Sequence, residues 1–289
     1  MKNTLHFNEM VQKLRHFFQV QKKFIEVPAQ SRTSILAACE DPQTITQYTL
    51  GDTRYPLPQT GQMWLEYELL KNPEWPGVFC VTTSYRDEPN PIPGRHLRIF
   101  PMFEFEAPGT FEDLKKLEAE LVTFLGFEAP ISIDYTSTAQ GYETEILEAI
   151  HETALEKKYG AAISLESFPA CTDPFWNMKR SDSGLACKVD ILLHGMETIG
   201  SAERETDVAA MRERFLTIKK GTYADLLISQ FGKQRVLQEL EEYLALPMIK
   251  RFGGGIGLTR LARAMELSDL FEMHKIYSYT VSTTRELSL

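Results

Sequence analysis

The sequence predicts an α+β protein, in which strand hairpins alternate with helices. Residues 81–106 and 186–204 each consist of an apolar run, a turn and a second apolar run, which is the pattern of a hairpin. A glycine-rich strand over residues 252–257 leads directly into an amphipathic helix that begins near Arg260. Antiparallel strands and helices therefore share one chain.

Composition places the chain among soluble globular proteins of one domain, residues 1–289. Apolar residues make up 43% of the chain, which suffices for a sizeable core. A formal net charge of −9 and a pI near 5.3 argue against nucleic acid or a membrane surface as a partner of the whole chain. The four cysteines lack the spacing of a zinc site, and no segment resembles a signal peptide or a membrane span. We therefore expect a cytoplasmic protein.

The N-terminal half of the chain opens with a helix and a short strand. Apolar residues keep helical spacing over 7–23, and a strand over 24–27 is ended by Pro28. Turn-forming and polar residues then fill 40–62, and a helix is predicted over 63–70.

Helices and one strand separate the two hairpins. Thr110 is a predicted N-cap, followed by acidic residues that open a helix to about residue 124. Alternation predicts a strand over 131–135, and a second helix is predicted over 143–159, closed by Gly160. Three more helices, over 205–215, 223–231 and 236–244, are predicted before the glycine-rich strand.

The first hairpin carries an unusual set of charged side chains. Arg86, Glu88 and His96 lie in its loop, whereas Glu104 and Glu106 lie two residues apart on the returning strand. Residues two apart on a strand face the same way, so we expect both glutamates to look into a pocket. The alternative is an exposed hairpin with solvated charges.

The second hairpin turns at residues 194–195. Asp190 precedes this turn and Glu197 follows it, so the two carboxylates are expected to face each other. A solvated hairpin tip is the alternative interpretation.

These features coincide in the class II aminoacyl-tRNA synthetases, which the chain resembles. Residues 85–88, Tyr-Arg-Asp-Glu, look like the second signature motif of that family, and residues 253–260, Gly-Gly-Gly-Ile-Gly-Leu-Thr-Arg, look like the third. The opening helix and strand look like the first motif, through which the family forms dimers.

Four shorter elements resemble the aspartate, asparagine and lysine subgroup. Residues 58–62 resemble its QSPQ element, residues 95–97 its RHL, residues 172–176 its proline-phenylalanine-aromatic strand, and residues 197–204 its E-I-S-S-G-A-Q-R. The resemblance runs from about residue 8 to residue 271.

The resemblance implies an AMP-forming ligase in which a mostly antiparallel sheet, flanked by helices, binds ATP in a bent shape. Arg86 would bind the α-phosphate and the reacting carboxylate, and Arg86 and Arg260 would be the catalytic pair. Glu88 would accept a hydrogen bond from the adenine amino group, and Phe100 and Arg260 would cover the two faces of adenine. His96 would reach the outer phosphates.

The metal and amino-acid ligands follow from the same resemblance. Asp190 and Glu197 would hold Mg²⁺ against the phosphates. The amino-acid substrate would be met by a group of polar side chains, namely Gln59, Gln62, Glu104 and Arg204. Arg204 would pair with a carboxylate or amide, and Glu104 is the residue type of asparagine enzymes, where aspartate enzymes often have aspartate.

Several positions depart from the family pattern. The first motif begins near residue 8, so we expect the N-terminal anticodon-binding barrel to be absent. Leu65 stands where aspartate enzymes have a lysine, which removes one of two positive groups expected around a side-chain carboxylate. Gly200 replaces a serine close to the metal, and Ile99 replaces a glutamate.

Three functions fit these observations. The first is an asparagine synthetase-like ligase that activates aspartate with ATP and passes it to ammonia or another small amine. The second is a free-standing aminoacyl-tRNA ligase, or a transferase to tRNA or protein. The third is a non-catalytic regulatory subunit. The retained ATP and metal residues disfavour the third, and the acidic charge disfavours the second. We favour β-carboxylate activation of aspartate by a homodimer formed through residues 10–28.

Overall fold

The computed structural model describes residues 3–29, 33–35 and 42–272. Its strands are β1 (Ile25–Glu26), β2 (Gln47–Leu50), β3 (Thr53–Pro56), β4 (Val78–Tyr85), β5 (Ile99–Pro108), β6 (Ile131–Asp134), β7 (Ala162–Phe168), β8 (Ala186–Leu193), β9 (Glu197–Glu203) and β10 (Arg251–Gly257). Its α-helices are α1 (Thr4–Arg15), α2 (Gln62–Lys71), α3 (Phe111–Phe124), α4 (Tyr135–Gly141), α5 (Ala149–Tyr159), α6 (Val208–Thr217), α7 (Thr222–Phe231), α8 (Lys233–Leu244) and α9 (Leu258–Leu267).

Eight of these strands form one sheet in the order β1-β4-β5-β10-β9-β8-β7-β6. The two outermost pairs, β1 with β4 and β6 with β7, are parallel, and the other pairs are antiparallel. Strands β2 and β3 form a separate hairpin. The predicted mostly antiparallel sheet with flanking helices is confirmed.

The alternation along β5 separates the core from the polar side of the sheet. Phe103 and Phe105 are fully buried against Phe18, which follows α1, with ring centroids 5.0 and 5.1 Å away. Helices α3 and α9 contribute to the same apolar cluster. Glu104 and Glu106 alternate with these rings and therefore lie on the opposite face of the sheet.

Both predicted hairpins form, and the glycine-rich strand lies between them. In the register of β10 with β5, Gly253 pairs with Glu106 and Gly255 with Glu104. In its register with β9, Gly255 pairs with Gly200. Strand β10 thus brings the two acidic hairpins side by side.

Helix α3 begins as predicted, because Thr110 and Asp113 form a reciprocal capping box. The helix predicted over 143–159 begins only at Ala149, because Glu148 has an extended backbone and forms a capping box with His151. A separate helix, α4, precedes it and is capped by the side chain of Asp134.

Other predicted boundaries need correction. Strand β7 and the β2–β3 hairpin were not predicted. Residues 172–176 do not form a strand; Phe175 and Trp176 are buried in an apolar cluster with helices α6, α7 and α8. Residue 39, one of the four cysteines, lies outside the described residues.

None of the helices in the described ranges has both the length and the hydropathy needed to cross a bilayer.

Candidate active site

A cavity of about 740 Å³ opens on the acidic side of the sheet. Strands β5, β9 and β10, the loop between β4 and β5, and the start of α9 form its wall. Most of the predicted site residues line it, namely Gln62, Arg86, Glu88, His96, Phe100, Glu104, Glu197, Arg204 and Arg260. The structure therefore brings together side chains that are up to 198 positions apart in the sequence, from Gln62 to Arg260.

Two predicted site residues do not line the cavity directly, and neither does Glu106, which was expected to face it but is fully buried against Arg204. Gln59 is fully buried, and its Nε2 donates to Thr44 Oγ1 at 2.7 Å. Asp190 is buried next to the cavity wall, beside Gly200. Gln59 therefore stands apart from the groups that a substrate in the cavity could contact.

One end of the cavity is rich in cations and has an aromatic face. The guanidinium of Arg86 lies over the ring of Phe100, 5.4 Å from its centroid. Arg260, in the first turn of α9, donates from Nη1 to the backbone oxygen of Glu197 at 2.7 Å. The same nitrogen is 3.6 Å from Glu197 Oε2. Cations fixed in this way suit a polyphosphate ligand.

Three further cations that line the cavity were not predicted as site residues, namely Lys188, Arg263 and Arg95, which pairs with Glu152. Lys188 lines the cavity and forms an ion pair with Asp190 Oδ2. Arg263 lines it one helical turn beyond the start of α9 and donates to the backbone oxygen of His194 at 3.1 Å. A signal for Lys188 was present in the sequence, because it lies two residues before Asp190 on a strand and so shares its face.

Asp190 and Glu197 converge on Gly200. A Cβ added to Gly200 would lie 2.9 Å from Glu197 Oε1 and 3.5 Å from Asp190 Oδ1. Burial raises the pKa of Asp190, and the negative charge of Glu197 adds to this against the opposing effect of Lys188. For Glu197, desolvation by the cavity walls is outweighed by Lys188 and Arg260, which hold its pKa below the usual range.

These two carboxylates fit the Mg²⁺ that the resemblance implies. Asp190 Oδ1 has no hydrogen-bond partner among the described residues, although it is buried. Two carboxylate oxygens beside one gap form a partial oxygen site, which phosphate oxygens of a nucleotide could complete. No cluster of three or more histidine, cysteine, aspartate or glutamate side chains suited to a metal occurs in the described part of the chain.

The opposite end of the cavity contains a buried acceptor, Glu104. Its carboxylate accepts hydrogen bonds from the hydroxyl of Thr60, from Thr82 Oγ1 at 2.7 Å and from the backbone N–H of Gly61 at 2.8 Å. Burial raises the pKa of Glu104 in spite of these three donors. The donors fix the carboxylate in one orientation at the cavity wall.

Arg204 lies at the same end, in a buried network of charges. Its Nη2 donates to Glu106 Oε2 at 3.2 Å, and its Nε is 3.7 Å from Glu66 Oε1. Arg251 pairs in turn with Glu66 at 2.7 Å. Burial raises the pKa of Glu106, and the lowering effect of Arg204 only partly opposes this. Nη1 of Arg204 has no hydrogen-bond partner among the described residues.

Position 65 requires a correction. Leu65 is fully buried in an apolar cluster with Val27 and Leu69, so its side chain does not face the substrate end of the cavity. The next residue on α2, Glu66, reaches the Arg204 network instead. Neither Glu66 nor Arg251 was recognised from the sequence.

The fold and the cavity together define a catalytic domain of the class II aminoacyl-tRNA synthetase type. The family described as tRNA synthetases class II (D, K and N) matches residues 1–276, so the chain belongs to that family. This confirms the expected subgroup. No curated protein sequence matches the chain.

Solved structures share the fold. Asparaginyl-tRNA synthetase from Pyrococcus horikoshii, complexed with asparaginyl-adenylate, is 20% identical with a TM-score of 0.75, over 90% of this chain and 64% of that one. Entamoeba histolytica asparaginyl-tRNA synthetase with asparaginyl-adenylate is 18% identical with a TM-score of 0.72, over 89% and 62%. Aspartyl-tRNA synthetase from Entamoeba histolytica is 17% identical with a TM-score of 0.66, over 90% and 55%. The chain therefore spans less than two thirds of each of these structures.

Proposed function

We propose that this chain joins an amino acid to AMP at the expense of ATP, that the amino acid is aspartate, and that the acceptor is ammonia or another small amine. The observation that carries the proposal is that Glu104 and Arg204 both line the cavity that also contains Arg86, Phe100 and Arg260.

The amino-acid end offers one acceptor and one donor. Glu104 presents a carboxylate, and Arg204 has a guanidinium nitrogen, Nη1, that no described residue contacts through a hydrogen bond. A lone side-chain carboxylate would suit Arg204 but would be repelled by an ionised Glu104. The α-amino acid end of a substrate suits both side chains, because its α-carboxylate can pair with Arg204 and its α-ammonium can donate to Glu104. Aspartate bound in this way directs its β-carboxylate toward Arg86.

The reaction then follows from the positions of the cations. A β-carboxylate oxygen attacks the α-phosphorus, pyrophosphate leaves, and Arg86 stabilises the negative charge that develops. The amine nitrogen next attacks the acyl carbon, AMP leaves with the bonding electron pair, and the amine loses a proton to water. The products are asparagine, AMP and pyrophosphate when the amine is ammonia. Bound Mg²⁺, held by Asp190 and Glu197, would neutralise charge on the phosphates.

A second candidate is supported by the same donor and acceptor. The amide side chain of asparagine also presents an oxygen for Arg204 and an N–H for Glu104, which leaves the α-carboxylate at Arg86. Two asparaginyl-tRNA synthetases with this fold have been solved with asparaginyl-adenylate. In this case the acceptor would be tRNA.

The two candidates are separated by trapping the adenylate with hydroxylamine. ATP–pyrophosphate exchange is measured first with each common amino acid. β-Aspartyl hydroxamate, together with asparagine formed from aspartate and ammonia, is the expected result. If asparaginyl hydroxamate and esterified tRNA are formed instead, the chain is an asparaginyl-tRNA ligase and the aspartate proposal is wrong. Absence of exchange with every amino acid would reject both and favour a non-catalytic subunit.

Arginine variants provide the control for this experiment. Arg86→Ala should abolish exchange. Arg212→Ala removes an exposed arginine that pairs with Glu241 on the surface, and it should leave exchange unchanged. We further propose a cytoplasmic homodimer formed through residues 10–28.

A further inference from the structure

Lys188 lies on the cavity wall in a fixed position. Its side chain is 18% exposed, and its ammonium forms an ion pair with Asp190 Oδ2. The nitrogen also lies 3.7 Å from the centroid of the Phe168 ring. An ion pair on one side and an aromatic face on the other restrict the flexible stem of a lysine. The positive charge is therefore held beside the carboxylates that would bind a metal.

The two carboxylates are not equally open. Asp190 Oδ1 and Glu197 Oε1 both approach the gap at Gly200, at 3.5 and 2.9 Å from the position of a Cβ. The other oxygen of Asp190 is covered by Lys188. Asp190 Oδ1 and Glu197 Oε1 are thus the oxygens that face the gap, where they could bind a divalent ion, whereas the ammonium of Lys188 occupies the oxygen of Asp190 that a second ion would need.

The ammonium of Lys188 can bind a phosphate oxygen and a carboxylate at the same time. It has three N–H donors, so contact with Asp190 is compatible with contact to a phosphate oxygen. As a point charge, lysine is a common ligand of phosphates. Arg86, His96 and Arg260 line the same end of the cavity, where the phosphates of ATP would lie under the proposed function.

We propose that Lys188 binds the outer phosphates of ATP and replaces one divalent ion at this end of the cavity. The inference rests on the proposed use of ATP. It assigns to this chain a lower requirement for Mg²⁺ than a site with the two carboxylates alone would have.

Nucleotide binding at several Mg²⁺ concentrations tests the inference without any turnover. Binding of ATP is measured by isothermal titration calorimetry for the wild type, Lys188→Met, Lys188→Arg and Lys179→Met. Lys179 is the matched control, because it also pairs with a glutamate, Glu203, but does not line the cavity. Thermal melting of each variant verifies that it is folded.

At low Mg²⁺ concentration, Lys188→Met should bind ATP roughly 10- to 100-fold more weakly than the wild type, because one charged hydrogen bond is lost. High Mg²⁺ should restore most of this affinity, since Asp190 Oδ2, which Lys188 no longer covers, can then bind a second ion. Lys188→Arg should retain most of the binding, and Lys179→Met should match the wild type.

A second measurement needs only the wild type. Mn²⁺ is titrated into the protein with ATP, and the free Mn²⁺ is measured by electron paramagnetic resonance. One ion should be bound for each ATP bound. Two or more ions per ATP, or equal Mg²⁺ dependence for the wild type and a folded Lys188→Met, would overturn the role of Lys188. Failure of the wild type to bind ATP at any Mg²⁺ concentration would instead reject the proposed function as well.

Discussion

Replacing Gly253 by alanine should disrupt the buried network at the amino-acid end of the cavity. A Cβ at this position would lie 1.7 Å from Glu106 Oε2 and 2.5 Å from both Gln62 Nε2 and the backbone oxygen of Phe105. The two side chains are held in a buried network, and the Phe105 oxygen belongs to strand β5, which pairs with β10. None of the three atoms can therefore move away freely.

The size of the effect follows from these distances. Relief of the backbone contact alone requires β10 and β5 to separate locally by about 0.5 Å, at an overpacking cost of about 1 to 3 kcal/mol. Displacement of Glu106 also weakens its bonds to Arg204, which are 3.2 and 3.3 Å long. Because breaking a buried ion pair costs about 3 to 5 kcal/mol, we expect a total loss of at least about 3 kcal/mol.

Gly257→Ala is the matched control, since it lies on the same strand. The nearest atom to its added Cβ would be Arg260 Cδ at 3.7 Å, an ordinary van der Waals distance. We expect this variant to remain within about 1 kcal/mol of the wild type. Urea unfolding gives the free energies, and Gly253→Ala should also melt roughly 6 °C or more below the control. Equal stability of the two variants would refute the steric explanation.

Four other outcomes are expected. Arg86→Ala should reduce ATP–pyrophosphate exchange on the order of 100-fold or more with an unchanged melting temperature, and near wild-type exchange would mean that the site is misassigned. Burial raises the pKa of Glu118 to about 8. Because this pKa is above the ordinary value of 4.5, the stability that protonated Glu118 contributes should be complete below about pH 4.5 and be lost as the pH rises through about 8. Urea unfolding should therefore find Glu118→Gln roughly 3 kcal/mol more stable than the wild type at about pH 8 and similar to it at about pH 5; an equal difference at both values would contradict this. Calorimetry should detect Mg²⁺ binding through Asp190 and Glu197 only when ATP is present, so tight binding without nucleotide would count against the partial site. Light scattering should give a dimer, and a monomer at micromolar concentration would exclude pairing through residues 10–28.

Local patterns in the sequence predicted the parts of the fold that depend on neighbouring residues. The alternation of phenylalanine and glutamate over 103–106 correctly divided β5 into a core face and a polar face. The turn at residues 194–195 correctly placed Asp190 and Glu197 close together. In both cases the two-residue period of a strand, or a tight turn, fixes the geometry within a few residues.

The parts that were missed depend on contacts between distant segments. Glu66 and Arg251 are charged residues, which are usually exposed, and only the packing of α2 against β10 and α8 makes them a buried pair that Tyr243 joins through its hydroxyl. Lys188 shares a strand face with Asp190, but its second contact, Phe168, lies on a strand that was not predicted. Local spacing contains no information about such partners.

The position of residue 65 on its helix changes the argument for aspartate. The preference for aspartate bound through its α-amino and α-carboxyl groups can no longer rest on the missing lysine. Successive residues of an α-helix point about 100° apart, so a shift of one position moves a side chain from one face to another. Leu65 lies in the apolar core, and Glu66 faces Arg204 in its place. The absence of a lysine at position 65 therefore does not by itself set the charge around the substrate.

The charge around the substrate is set by two cations, Arg204 and Arg251, and two carboxylates, Glu66 and Glu106. Their opposite charges largely cancel when all four groups are ionised. Against a nearly neutral network, Glu104 decides the choice, because an ionised carboxylate repels a second one and favours a donor beside the group that Arg204 binds. An α-amino acid end or an amide supplies that donor, and an isolated side-chain carboxylate does not.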